Sequence, residues 1–388
     1  MIFTAVFLIG FSTLAFEVLL ARVFSISQWN HLSFMVISIA LFGFAASGTF
    51  LSIFNTRRDD CRTDPGSIPQ ALHIWIMLYS ATTLLAFVAV NNLPLDYFRL
   101  PVEPIQSVYV LAAFLVLALP FFFSGGTMVF AYTRLPQKTG LIYFATMGGS
   151  ACGAVSPAVL LPIMGESQLV VLFALLPLLV VAVPLFRLPV NPSAKKPMIP
   201  TPMVWVVLCI LIIGGVLLLV SPYGQWLIEV KPSPYKTLSQ VLQFPDTHIE
   251  QTVNTIRGRT DRVSSPHIRF APGLSLRFMK SLAPQVAAFT DGDHQLVLYP
   301  PGNHQSVRFA TYTLGYSGYA LHPNAQKALI IMQNGGSAMA CALAAGIHDT
   351  TLVVENPSLA AIISRHYGRK VISRPPRSYL SGINEHFD

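Results

Sequence analysis

Apolar and polar positions divide this chain into two unlike parts. Up to Val220, long apolar runs alternate with short polar loops; beyond it, apolar stretches are short and broken by Pro, Gly and charged residues. A helix needs about 20 apolar residues to cross a bilayer core. Seven runs reach or approach that length: Ile2 to Phe24, Ser33 to Phe54, Ala71 to Val90, Ser107 to Thr133, Gly140 to Gly165, Leu169 to Phe186 and Met203 to Val220. They predict seven spanning helices, kinked at Pro120, Pro157 and Pro162. In the second part, Tyr235 to Phe244, Thr247 to Val263, His267 to Phe270 and Gln285 to Tyr299 mix polar and apolar residues. Alternation such as Ser239-Gln-Val-Leu-Gln-Phe244 predicts strands, and the group predicts a small antiparallel domain of hairpins.

Composition strengthens the membrane reading. The chain is 53% hydrophobic and 11% charged, where a soluble domain is roughly a quarter charged. The lipid bilayer is therefore the first partner expected. Net charge is +8, but the basic residues form no single stripe, which argues against nucleic acid. Many lie in short loops beside the apolar runs. Arg57, Arg58, Arg62, Arg134, Lys138, Arg187, Lys195 and Lys196 fall on the amino-terminal side, against Arg22 and Arg99 on the other. The positive-inside rule then puts the amino terminus in the cytoplasm and the second part outside. Cys61, Cys152, Cys209 and Cys341 are far apart, so neither a disulfide framework nor a metal site is predicted. The first run lacks a basic leader, and Glu17 and Arg22 stand where a cleavage site would be, so it reads as a helix.

Glu17 and Arg22 are ionisable groups at or near membrane depth, where charge is costly. Five residues set them about 140° apart on a helix. The expectation is that Arg22 reaches the interface and Glu17 pairs with a neighbouring helix. The alternative is a polar site with His31, of the kind a transporter uses. Gly149-Ser-Ala-Cys-Gly153 and the Gly43/Ser47 pair let helices approach closely. Internal packing is expected, with a homo-oligomer through the Gly149/Gly153 helix as the alternative. Arg257, Arg259, Arg262 and Arg269 read as a solvated strand face, with an anionic ligand or lipid headgroups as the other choice. His294, His304 and His348 read as surface or loop residues.

The stretch from Leu321 to Ile363 carries the candidate chemistry. Ala328 to Ile331 predicts a buried strand, and Gly335-Gly336 breaks the chain. Ser337 is placed to cap a helix from Ala338 to Ala345, stopped by Gly346. Thr350 to Val354 predicts a second strand, ending in Glu355. A helix from Ser358 to Tyr367 and a third strand from Arg369 to Ser373 follow. In such a unit a nucleotide sits over the glycine turn, and the acid accepts hydrogen bonds from ribose hydroxyls.

This order resembles the spermidine synthase family, within the Rossmann-like S-adenosylmethionine (SAM) enzymes. His322-Pro323, Leu329-Ile330-Ile331, Gly335-Gly336 and Val354-Glu355-Asn356-Pro357 follow its pattern. Ser233-Pro-Tyr-Lys236 and Asp291-Gly-Asp-His-Gln295 resemble landmarks of the β domain that precedes it. Phe16-Glu-Val-Leu-Leu-Ala-Arg22 and Tyr143-Phe144 are similar to the subgroup with a membrane domain in front. The resemblance implies a multi-pass α-helical membrane domain (1–221), a small antiparallel β domain (222–305) and a partial Rossmann-like α/β domain (306–388). Phe387-Asp388 would start the fourth strand. It implies SAM or decarboxylated SAM as substrate, with Gln295, Gly335, Gly336 and Glu355 holding it. It also implies aminopropyl transfer to a small amine, in a bacterial inner membrane.

The chain departs from the family at several points. Met332 and Asn334 stand where the turn has glycines, and Ala338 and Thr146 where it has acids. Pro375 and Pro376 replace polar residues beside the adenine. The family's Tyr-His-Glu motif is absent near Ala310-Thr311-Tyr312, and its catalytic acids would fall at and after the fourth strand. Met332 would set a long side chain at the turn, so weak nucleotide binding is expected and no catalytic residue is assigned. A non-catalytic membrane protein whose synthase-like part binds a ligand or partner is the alternative, and a small-molecule transporter a third.

Overall fold

The computed structural model describes residues 1–28, 33–55, 68–187, 201–301, 304–332 and 336–388. They form two compact units, Met1–Lys231 and Pro232–Asp388.

The first unit is helical. Its elements are α1 (Ile2–Ser27), α2 (Phe34–Asn55), α3 (Ile68–Asn92), α4 (Ile105–Arg134), α5 (Thr139–Leu160), α6 (Glu166–Leu175), α7 (Leu178–Arg187), α8 (Thr201–Val220) and α9 (Pro222–Ile228). Five of them, α1 to α4 and α8, are long and apolar enough to cross a membrane. Large apolar side chains face outward from them, including Phe34, Ile37 and Leu41 on α2 and Ile210, Ile213 and Leu217 on α8. Lipid tails are as apolar as these side chains and solvate them without cost.

The fifth and sixth runs differ from expectation. Helix α5 ends at Leu160, so Pro162 lies in the turn beyond it and kinks nothing. The sixth run is two ten-residue helices. Pro177 has no N–H to continue the ladder, and Leu179 and Val180 close tighter bonds to the carbonyls of Leu176 and Pro177. Pro120 and Pro157 lie inside helices, as predicted.

Close backbone approach holds the bundle together. A Cβ on Gly149 would collide with the Phe7 carbonyl, and one on Gly153 with the Phe11 carbonyl. The small residues of α5 thus lie on α1, and the two helices run parallel. Gly43 similarly meets Ala118 and Phe121, and Ser47 meets Gly125, so α2 and α4 also run parallel. Thr13 and Ser124 share a hydrogen bond of 2.7 Å between α1 and α4. Thr146 donates to its own helix at Ile142. The unit continues past the expected boundary at residue 221. Asn92 donates to the Leu227 carbonyl, and Asn91 and Ser167 donate to that of Ile228, which fastens α9 to the ends of α3 and α6.

The second unit opens with α10 (Thr237–Val241), followed by β1 (His248–Thr255), β2 (Gly258–Ser265), β3 (Gln285–Thr290) and β4 (His294–Leu298). These strands form an antiparallel sheet in that order. Short helices α11 (His304–Val307) and α12 (Ser317–Leu321) lead to β5 (Lys327–Ile331), α13 (Ser337–Ala344), β6 (Asp349–Val354), α14 (Pro357–Tyr367), β7 (Val371–Ser373) and α15 (Pro376–Leu380). Strands β5, β6 and β7 pair parallel in that order, with α13 and α14 as crossovers. Gly368 ends α14 in the left-handed conformation, at φ +63°, where glycine meets no Cβ clash. The two sheets share core: Ala288, Leu296 and Leu298 pack with Ile330, Leu352 and Ile363. Residues on either side of the expected 305/306 boundary therefore form one unit.

Three local expectations change. The stretch read as a strand from Ser239 contains the end of α10, because the Leu238 N–H is held by the Gly292 carbonyl at 3.0 Å and a helical turn starts there. His267 to Phe270 is outside any strand. Ser337 makes no capping bond; Gly336 is the N-cap of α13.

Lys236 is buried beside this helix and donates to the Asp291 carbonyl at 2.5 Å. It pins the β3–β4 turn, where Asp291 and Gly292 both have positive φ.

Two outcomes follow from this packing. Gly153→Ala should destabilise the detergent-solubilised protein by about 1–3 kcal/mol, the usual cost of overpacking. Gly48→Ala, with nothing near the added Cβ, should be neutral; equal thermal unfolding midpoints for the two would refute the α1–α5 contact. Burial pushes the Lys236 ammonium down to about 8 from 10.5, although nearby Asp291 and Asp293 draw it up. Between those values the unfolded chain holds a proton that the folded unit releases, so stability rises with pH there and is flat below. Denaturant midpoints measured across that window should show the rise in the wild type and lose it in Lys236→Met.

Candidate functional site

The carboxyl ends of β5 and β6 carry the residues that sequence singled out. The Met332 N–H donates to the Val353 carbonyl at 3.0 Å, which extends the pairing past β5. Its side chain is buried with Ile330 and Leu352 in the core. Met332 is therefore a packing residue, contrary to the expectation that it obstructs the turn. Gly335 and Asn334 lie outside the described residues. Gly336 donates its N–H to the Val297 carbonyl at 2.9 Å, and a Cβ there would collide with that same oxygen. Its lack of a side chain serves contact with β4.

Gln295 is two residues from Val297 on β4, half-buried and paired in register with Phe289. The structure thus ties Gly336, at the start of α13, to the strand that bears Gln295. Glu355 closes β6 and is exposed, but its Oε1 lies 2.6 Å from Nη1 of Arg257. Arg257 comes from the turn between β1 and β2. That hairpin is fixed alongside by a second contact, in which the hydroxyls of Thr260 and Ser358 share a hydrogen bond of 2.7 Å. Asn356 caps α14 by accepting from the Ser358 N–H at 3.0 Å. With side chains 42% and 57% exposed, the Arg257–Glu355 pair is worth only about 0–1 kcal/mol. It occupies the acid without locking it.

The other arginines have partners of their own. Arg259 pairs with the buried Asp261, which also accepts from Thr252, and Arg262 pairs with Glu250. Arg269 donates to the Ile268 carbonyl. A depression of about 440 Å³ opens at the opposite, amino-terminal ends of β6 and β7, lined by Asp349, Arg369, Lys370 and Glu385. Among the described residues no cluster of three His, Cys, Asp or Glu side chains is placed to hold a metal ion.

In the first unit, Arg22 is paired. Its Nε donates to Oε1 of Glu166 at 3.0 Å, and both side chains are largely buried. Glu166 starts α6, where a carboxylate also meets the positive end of the helix dipole. The sequence predicts a partner on a neighbouring helix for Glu17; the structure gives one to Arg22, in Glu166. Glu17 is half-buried, and His31 lies outside the described residues. Glu166 was readable only as an acid at the edge of an apolar run; nothing local linked it to Arg22.

Comparison of the chain with known protein families, characterised proteins and solved structures finds no match.

Removing one partner of a buried ion pair strands the other charge, at about 3–5 kcal/mol. Arg22→Met or Glu166→Met alone should therefore lower the unfolding midpoint in detergent sharply. The double variant Arg22→Met/Glu166→Met should regain most of the loss. A double variant as unstable as the sum of the singles would show that the two side chains act independently.

Proposed function

We propose that this is an integral membrane protein whose polar unit has a spermidine-synthase-like, Rossmann-type plan that serves ligand binding without aminopropyl transfer. The Arg257–Glu355 pair carries the reading. The acid at the end of β6 is the group a nucleoside ribose would need, and a protein cation already holds it. Gly336 is likewise engaged by Val297. SAM-type nucleosides then bind weakly, because each must displace Arg257.

Helix directions support a seven-pass anchor. Parallel packing of α1 with α5 and of α2 with α4 fits five alternating crossings. Helix α6 starts at the Arg22 end of α1, and α9 joins the Asn91/Asn92 end of α3. Since α8 leads into α9, a crossing by the α6–α7 pair would carry the chain back between them. The two arginines on that side are both matched by carboxylates, Arg22 by Glu166 and Arg99 by Asp96 and Glu103. The Lys and Arg count, which carboxylates change little, favours the Met1 side, and on this reading Met1 faces the cytoplasm. Lys231 then leaves on the outer side, away from cytoplasmic SAM. By resemblance the setting is a bacterial inner membrane.

The transferase reading keeps one observation in its favour. The parallel order β5-β6-β7, with glycines in the sequence after β5 and an acid after β6, is the plan on which decarboxylated SAM and an amine would be brought together.

Calorimetry with SAM and decarboxylated SAM, and product analysis with putrescine, distinguish the two on the purified full chain. Binding weaker than micromolar and no product are expected. Arg257→Ala should tighten nucleoside binding by up to about fivefold, the equivalent of an exposed ion pair, and Glu355→Ala should abolish it. Micromolar binding with aminopropylated product would establish the transferase instead.

A further inference from the structure

A ribbon of the polar unit carries large apolar side chains with nothing against them. Leu276 is 96% exposed, Met279 90% and Leu314 82%. They belong to two segments held side by side. Leu274 bridges Thr313, the Ser275 N–H donates to the Tyr312 carbonyl at 2.9 Å, and the rings of Phe278 and Tyr312 are 5.3 Å apart. Leu274 and Phe278 pack onto the core, so their neighbours turn outward.

The charges around these residues have one sign. Arg277 and Lys280 alternate with the exposed apolar residues, and Arg308 is exposed at the start of the second segment. Residues 263–290 and 294–348 contain no Asp or Glu. Among the described residues, no ion pair engages Arg277, Lys280 or Arg308.

Exposed apolar residues with a polar rim mark interaction surfaces. Protein interfaces disfavour Lys near their apolar centre. Apolar tips interleaved with cations suit an anionic lipid surface, where the tips enter the headgroup boundary and the cations meet phosphates. We propose that the ribbon of residues 274–280, with Leu314, docks on the headgroup layer of an anionic bilayer. The apolar helices of the same chain tether this unit to a membrane. Tethering gives an effective concentration of about millimolar, so a patch too weak to recruit a free protein suffices here.

Trypsin reads the contact directly, because it cleaves after Arg277 and Lys280. The full chain is placed in nanodiscs of phosphatidylglycerol, in nanodiscs of phosphatidylcholine, and in maltoside detergent, and cleavage at these two bonds is timed by mass spectrometry. Nanodiscs expose both faces, so orientation does not matter. Cleavage should be about tenfold slower in phosphatidylglycerol than in detergent, with phosphatidylcholine between, and about 0.5 M salt should narrow the lipid difference by screening. Leu276→Ser/Met279→Ser should restore the detergent rate in phosphatidylglycerol with the unfolding midpoint unchanged. Equal rates in all three settings would overturn the proposal. So would protection that persists in detergent, which means the protein covers the ribbon itself, or that grows with protein concentration, which means a second copy does.

Discussion

Two backbones meet with no side chain between them at the points that hold each unit together. In lipid there is little hydrophobic drive between helices, so association rests on close packing. Gly149 and Gly153 admit the carbonyls of Phe7 and Phe11, and this fixes the register and direction of α5 on α1. Gly336 does the same on the Val297 carbonyl in the polar unit. That contact places Gly336, the N-cap of α13, against the strand bearing Gln295. A methyl group at any of these positions would have to push a carbonyl aside.

Much of this was legible in the sequence, and the failures have physical causes. Strands β5 and β6 and helices α13 and α14 were readable because apolar runs and glycine stops agree about the same boundaries. Short alternating segments are ambiguous between periods, and Ser239 to Phe244 was misread because Gly292, far along the chain, starts a helix before it. Gly336 was read as holding a ligand; its close contact with Val297 on β4 is one that local pattern does not contain. Arg22 and Glu166 are 144 residues apart, so no spacing rule joins them. The Arg257–Glu355 pair is similarly remote, formed only when the hairpin of β1 and β2 lies along α14.

The two ion pairs differ in consequence because their surroundings differ. The Arg22–Glu166 pair is largely removed from solvent, so each charge depends on the other. Water screens Arg257 and Glu355, whose contact shifts easily. The first pair therefore belongs to the architecture of the bundle, and the second behaves as a competitor that any ligand seeking Glu355 must displace.

The break at Pro177 bears on how the bundle is made. Each half of the α6–α7 pair is ten residues, or about 15 Å of helix, half of a bilayer core of about 30 Å. In the seven-pass reading neither half is a self-sufficient insertion signal, and α6 enters carrying Glu166. Its counter-charge sits on α1, which leaves the ribosome well before α6. Stable insertion of the sixth crossing thus waits on a helix already in the membrane, so the order of synthesis supplies the partner before the charge that needs it.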